Sequence, residues 1–151
     1  SILMWAHYSR NHTGFCVGIK GESLIASGDG RTKGGKMEYD KKYPDLGPQA
    51  IKNIPEMERI ERAFIETHTK AKEWGYEKEY RVTKNFYGID LDKIERRSYL
   101  PPGSIGEIIL GILINAEDKE AILKAAKEKC IKVYQARKVP FKFKIDRELI
   151  L

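Results

Sequence analysis

Apolar and polar positions along the chain alternate with two periods, and the change of period marks out its elements. Phe15 to Ile19, "FCVGI", is continuously apolar, the pattern of a strand covered on both faces. Ahead of it, Leu3 to about Asn11 has the spacing of a short helix. Trp5, Tyr8 and the following His12 share one side at intervals of three and four, and His7 points roughly the opposite way. Lys36 to Tyr43 alternates as an edge strand, with Met37 and Tyr39 on one face and Glu38 and Asp40 on the other. Pro44, Pro48 and Pro55 then break the chain into coil.

A helical period returns over Glu56 to Glu73, with Met57, Ile60, Phe64 and Ala71 as the apolar stripe and Glu56, Glu58 and Glu61 suited to the positive N-terminal end. His68 lies near that stripe and reads as a packing residue. Gly75 is placed to end the helix. Tyr76 to Val82, "YEKEYRV", alternates strictly, so Glu77, Glu79 and Arg81 share one strand face. A second short strand is expected around Tyr87 to Leu91. "LPPGS", Leu100 to Ser104, forms a rigid turn into an apolar strand over Ile105 to Ile114. Glu117 to Cys130 is an amphipathic helix on Ile122, Ala125 and Ala126, with Asn115 or Glu117 near its start. Lys132 to Ala136 and Phe141 to Ile145 close the chain as strands. The strand–helix–strand order over 105–136 fits a right-handed parallel crossover, while other strands arrive without intervening helices. The expectation is an α+β fold, a single domain over residues 1–151 with a mixed, largely antiparallel sheet and two main helices.

Composition narrows the function classes only a little. The 151 residues suffice for a core without metals or disulfides. The net charge of +6, from 28 basic and 22 acidic residues, mildly favours anionic partners. Basic residues are spread along the chain, with no run of the kind found in nucleic-acid arms. No apolar stretch is long enough to cross a bilayer, so no membrane partner is expected. Cys16 and Cys130 form no metal-ligand or disulfide pattern. They read as buried thiols in a reducing compartment, which points to a cytoplasmic location. The chain opens without methionine, as a piece of a longer protein would.

Two stretches carry candidate chemistry. "MWAHYSRNHTG" holds His7, Tyr8 and His12, and histidine is the side chain most easily poised to exchange protons near neutral pH. Glu77, Glu79 and Arg81 follow directly on Trp74, and two carboxylates on one strand face, about 7 Å apart, perturb each other's titration and can share a ligand. Each stretch also has a plainer reading: an aromatic helix packed on the core, and a solvated strand face with a local ion pair. Other chemistries lack their residues. His7 and His12 miss the i, i+4 spacing of a helical zinc pair, so no metal is expected. Cys16 sits in an apolar strand, where a thiolate is costly. The glycine-rich "GDGRTKGGK", Gly28 to Lys36, reads as an exposed loop without the spacing of a phosphate-binding loop or a dinucleotide fingerprint, and there is no nucleophile elbow.

The ordered combination of "MWAHYSRNHTGFCVGI", "KAKEWGYEKEYRV", "LPPGSIGEIILG" and a closing "VYQA…FKFKI" resembles a widespread prokaryotic and phage family whose shared domain has no assigned function. The matching positions are Met4, Trp5, His7, Tyr8, His12, Gly14, Trp74, Glu77, Glu79 and Arg81. The resemblance implies that the two stretches belong together and that this chain is the C-terminal part of a longer family member. It names no reaction. Glu-x-Glu on a strand, followed by a Pro-led apolar strand, is also similar in a distant way to the catalytic segment of ADP-ribosyltransferase-like toxins. That analogy implies an NAD- or nucleotide-handling enzyme in a phage-defence or toxin setting. Glu79, Glu77 and His7 are its candidate catalytic groups, and Tyr8, His12, Arg81 and Trp74 its ligand-binding groups. NAD is the cofactor it implies, and a small-molecule or nucleotide ligand the partner. The alternative is a non-enzymatic module that binds nucleic acid or protein.

Overall fold

The structure, a computed structural model, describes residues 1–26, 32–44, 54–84 and 99–151. It is a mixed α+β arrangement, and the chain divides into two compact units, Ser1–Gly28 with Ile89–Leu151 and Asp29–Gly88.

The first unit contains a four-stranded sheet in the order β1-β6-β7-β8, formed by β1 (Phe15–Ile19), β6 (Ile105–Leu110), β7 (Lys132–Lys138) and β8 (Ile145–Leu149). β1 pairs with β6 antiparallel, β6 with β7 parallel, and β7 with β8 antiparallel. Helix α4 (Ala116–Glu128) makes the expected crossover between the parallel pair. Asn115 caps it: its side-chain oxygen accepts from the Asp118 N–H at 2.8 Å, satisfying a donor that the first helical turn leaves open. Leu110, Val133 and Ala126 form the buried centre, with Ile108, Ile122 and Leu123 packed against it. The turn before β6 follows from its sequence. Gly103 takes φ 78°, which the second central residue of a type II turn requires, and the Ser104 N–H donates to the Pro101 carbonyl at 3.2 Å. Helix α1 (Ile2–Tyr8) opens the unit, and α2 (Gly21–Ala26) follows β1.

The second unit is built from short pieces. β2 (Thr32–Lys36) pairs antiparallel with β5 (Tyr80–Lys84), and β3 (Glu38–Asp40) pairs parallel with β4 (Thr69–Ala71). Helix α3 (Glu56–His68) runs into β4, and a 3-10 helix spans Lys72–Glu77. Met37 is buried as the alternation over 36–43 required, and Glu38 and Asp40 are exposed. His68, 1 % exposed, stacks on Phe64 with ring centroids 3.7 Å apart, which bears out its reading as a packing residue. Its Nδ1 lies 3.0 Å from the Thr67 hydroxyl and its Nε2 3.3 Å from the Arg81 carbonyl.

Several expectations are corrected. The first helix stops at Tyr8 rather than near Asn11. There Ser9 Oγ donates to the Trp5 carbonyl at 2.6 Å, and Arg10, Asn11 and His12 all turn left-handed, at φ 47°, 53° and 70°. Part of the glycine-rich loop is strand: Gly34 and Gly35 lie in β2. There any Cβ on Gly35 would come within 2.5 Å of the Phe64 ring, so glycine is what lets the ring pack against the backbone. The long helix ends at His68, five residues early, because Thr67 and Thr69 bond back to its carbonyls and Thr69 is already extended. Ala71 therefore belongs to β4, and Gly75 lies inside the 3-10 helix rather than capping α3.

The strand expected from Tyr76 starts only at Tyr80, since Glu77 closes the 3-10 helix and Lys78 is left-handed at φ 50°. The apolar strand from Ile105 stops at Leu110. Beyond it, the Gly111 and Leu113 N–H groups donate to the Gly14 and His12 carbonyls. The last strand runs over 145–149 rather than 141–145. Phe141 turns left-handed at φ 57°, and Phe141 and Phe143 lie fully exposed in the connection. Cys16 and Cys130 are exposed rather than buried: β1 is not covered on both faces, with Phe15, Cys16, Val17 and Ile19 all exposed, and Cys130 follows the end of α4. Burial thus gives no ground for inferring a reducing compartment. The short strand expected around Tyr87 lies outside the described residues.

Candidate functional site

In the second unit, Glu77, Glu79 and Arg81 meet, although not as a strand face. The 3-10 helix carries Trp74 and Glu77, the left-handed Lys78 redirects the backbone, and β5 carries Arg81. What joins them is Lys70, from β4. Its Nζ lies 2.5 Å from Glu77 Oε2 and 3.3 Å from Glu79 Oε2. Glu79 Oε1 in turn accepts from Arg81 Nε at 2.7 Å, and Arg81 Nη1 donates to the Thr67 carbonyl at 2.5 Å. Two acids and two bases thus form one chain, Glu77–Lys70–Glu79–Arg81. The Glu77 side chain is only 3 % exposed, whereas Lys70 and Glu79 keep about a quarter of their surface in solvent.

The surroundings fix this chain in place. The Tyr39 hydroxyl accepts from the Glu79 N–H at 2.8 Å, tying β3 to the start of β5. Lys70 Nζ sits 5.0 Å from the centroid of the Trp74 ring, a cation–π contact, and the ring is 37 % exposed with Tyr76 6.0 Å away. The Arg81 guanidinium, and then Lys70, hold the Glu79 carboxyl below the usual range. The hydrogen bond to Glu77, and then that to Glu79, hold the Lys70 ammonium above its usual value despite the opposing cost of burial. The arrangement can therefore do two things. It can stay closed as a neutral ion-pair chain, or an incoming anion can take over Lys70 and Arg81 and release a carboxylate beside the Trp74 ring.

His7, Tyr8 and His12 belong to the first unit, whereas Glu77, Glu79 and Arg81, which they were expected to face, belong to the second. Within their own unit they surround the left-handed loop after α1. Tyr8, 62 % exposed, lines a cleft of about 430 Å³ with Arg10, Thr13, Asn115, Asp118 and Ile122. His7 is exposed, with its ring 6.4 Å from that of Tyr8. His12 Nδ1 is buried without a hydrogen-bond partner among the described residues. Three successive non-glycine residues in the left-handed region cost about 1–2 kcal/mol each, strain of the kind that concentrates at functional loops. Trp5 does not line this cleft but faces Ile109 and Ala136 of the sheet. Among the described residues no group of three or more His, Cys, Asp or Glu stands close enough to hold a metal ion, and no helix is long and apolar enough to cross a membrane.

The residues missed by sequence reasoning are Lys70, Tyr39 and Thr67. Lys70 stands inside the "KAKEWGYEKEYRV" segment, so the signal was present; its role depends on the parallel β3–β4 pairing, which spacing does not reveal.

A family model described as "Protein of unknown function (DUF2971)" matches residues 4–82, more than half of the 151. The match contains every candidate residue of both stretches, from His7 to Arg81, and stops short of the β6–α4–β7 segment. No curated protein and no solved structure matches the chain.

Proposed function

We propose that this chain, which belongs to the DUF2971 family and whose family match spans both candidate stretches, handles a nucleotide, with NAD as the reference ligand. One observation carries this reading: Lys70, Glu77, Glu79 and Arg81 form a linked acid–base chain beside the exposed ring of Trp74. Trp74 stacks on a base or nicotinamide ring, and Arg81 with Lys70 takes the diphosphate. Engaging those cations uncouples Glu79, or Glu77, which then stabilises positive charge developing on the ribose as nicotinamide leaves with the bonding electron pair and a solvent water adds to the same ribose carbon, losing its proton to solvent. In the first unit, Tyr8 and His12 keep their ligand-binding assignment and His7 its catalytic one, supported by the strained loop after α1 and, for Tyr8, by the cleft that it lines. The distant likeness to ADP-ribosyltransferase-like toxins motivates the choice of NAD.

A second reading is a binding module without chemistry, favoured by the fact that both oxygens of Glu79 are already engaged by cations. The Glu77→Gln/Glu79→Gln double variant separates the two. Under the enzymatic reading it loses NAD turnover, by at least about a hundredfold, while its folded fraction is checked by circular dichroism. A folded double variant that consumes NAD like the parent chain, or a parent chain that consumes none, leaves the binding module.

A further inference from the structure

A second site lies in the first unit, at the carboxyl ends of its two parallel strands. Beyond the end of β6 come Ile112 and Ile114, and the last four residues of β7 are Gln135 to Lys138. Between them opens a cleft of about 490 Å³, within the range of small-molecule pockets. In strand–helix–strand units this edge is where ligands bind, because the strands end there and the loops leave room.

The chemistry of the cleft is one-sided. Lys119, Arg137 and Lys138 line it, and among the described residues no carboxylate does. Neither Lys119 nor Lys138 has a carboxylate partner among the described residues, and Arg137 is paired only through its Nε, with Glu148. Gln135 explains how the cation is aimed. Its side chain is buried, its amide nitrogen donates to the Gly111 carbonyl at 2.8 Å, and its amide oxygen accepts from Lys119 Nζ at 3.2 Å. A neutral amide therefore holds the ammonium while leaving its charge uncompensated and two of its N–H groups for a ligand. Ile112 and Ile114 supply an apolar wall.

We infer that this cleft binds a small organic phosphate, its anionic head between Lys119, Arg137 and Lys138 and its apolar body against Ile112 and Ile114. The inference rests on the first unit alone and is independent of the nucleotide reading.

The test is a titration of the full chain with phenyl phosphate, followed by amide chemical shifts, with inorganic phosphate and phenol as the two half-ligands. Phenyl phosphate is expected to shift the amides of residues 111–115 and 135–138 and to bind more tightly than either half. Lys119→Gln/Lys138→Gln is expected to weaken it at least about tenfold with the remaining spectrum unchanged. If that double variant disturbs the fold, Lys138→Gln alone, at an exposed strand end, is expected to weaken binding several-fold. Shifts spread over all lysines, phenol binding as well as phenyl phosphate, or unaltered affinity in the folded variants would each overturn the inference.

Discussion

The two units hold themselves together by different means. In the first, α4 lies on a four-stranded sheet, and Leu110, Val133 and Ala126 exclude water from a continuous apolar centre. In the second, paired strands of three to five residues leave, among the described residues, little apolar interior beyond Met37 and the Phe64–His68 stack. Its pieces are pinned instead by Lys70, Glu77, Glu79, Arg81 and Tyr39. An apolar centre does not titrate and feels no charge screening, whereas ion pairs respond to both pH and ionic strength. The difference teaches that the acidic and basic residues of the second unit have a structural duty as well as any chemical one. A loss of function on mutating them carries meaning only beside a measure of folding.

The chain contains two tryptophans, Trp5 in the first unit and Trp74 in the second, so single-tryptophan variants report on each unit separately. The largest effect is expected from Leu110→Ala, which empties the apolar centre and costs about 2–5 kcal/mol in denaturant unfolding followed at Trp5. Next comes Glu77→Gln. It removes the nearly buried partner of Lys70 and costs about 1–3 kcal/mol in the transition followed at Trp74. An equal response at Trp5 would break the comparison. Asn115→Ala removes the cap of α4 and is expected to cost about 1 kcal/mol at Trp5.

The pH response sharpens the contrast with the smallest shifts. Glu79 is held below its ordinary value of 4.5, so its contribution is complete above that value and lost as pH falls through the depressed one. Lys70 is held above its ordinary 10.5, so its contribution is complete below that value and lost as pH rises through the elevated one. Stability against unfolding, read at Trp74, is therefore expected to fall on the acid side below about pH 4.5 and on the alkaline side above about 10.5. Arg81→Gln should diminish the acid limb, since Arg81 is the main cause of the Glu79 shift.

What the sequence made legible follows from which signals are local. β1 was read with its observed limits and α4 to within two residues at each end, because a short apolar run and a capped 3.6-residue period are properties of neighbouring positions. The end of α3 was misplaced because hydroxyl groups of Thr67 and Thr69 outweighed the continuing apolar stripe. The Glu77–Arg81 strand was half right. Tyr76 and Glu77, which continue the alternation, close the 3-10 helix instead, and the left-handed Lys78 that separates them from β5 leaves no mark in the hydropathy pattern. The association of Glu77, Glu79 and Arg81 was nonetheless anticipated, and the agent that joins them was not. Lys70 reaches them through a parallel pairing between residues some thirty positions apart in the chain, a non-local fact. The exposure of Cys16 is likewise a non-local fact, since an apolar run does not reveal whether other elements cover its strand.

The central claim, that the Lys70–Glu77–Glu79–Arg81 chain beside Trp74 is opened by a nucleotide, is tested most directly by Trp74 fluorescence. In a Trp5→Phe chain, whose remaining tryptophan is Trp74, NAD is titrated at neutral pH. The account predicts saturable quenching that is lost in Arg81→Gln while the unliganded spectrum stays that of a folded chain. Emission unchanged across the titration, or quenching that survives Arg81→Gln at full strength, would contradict it.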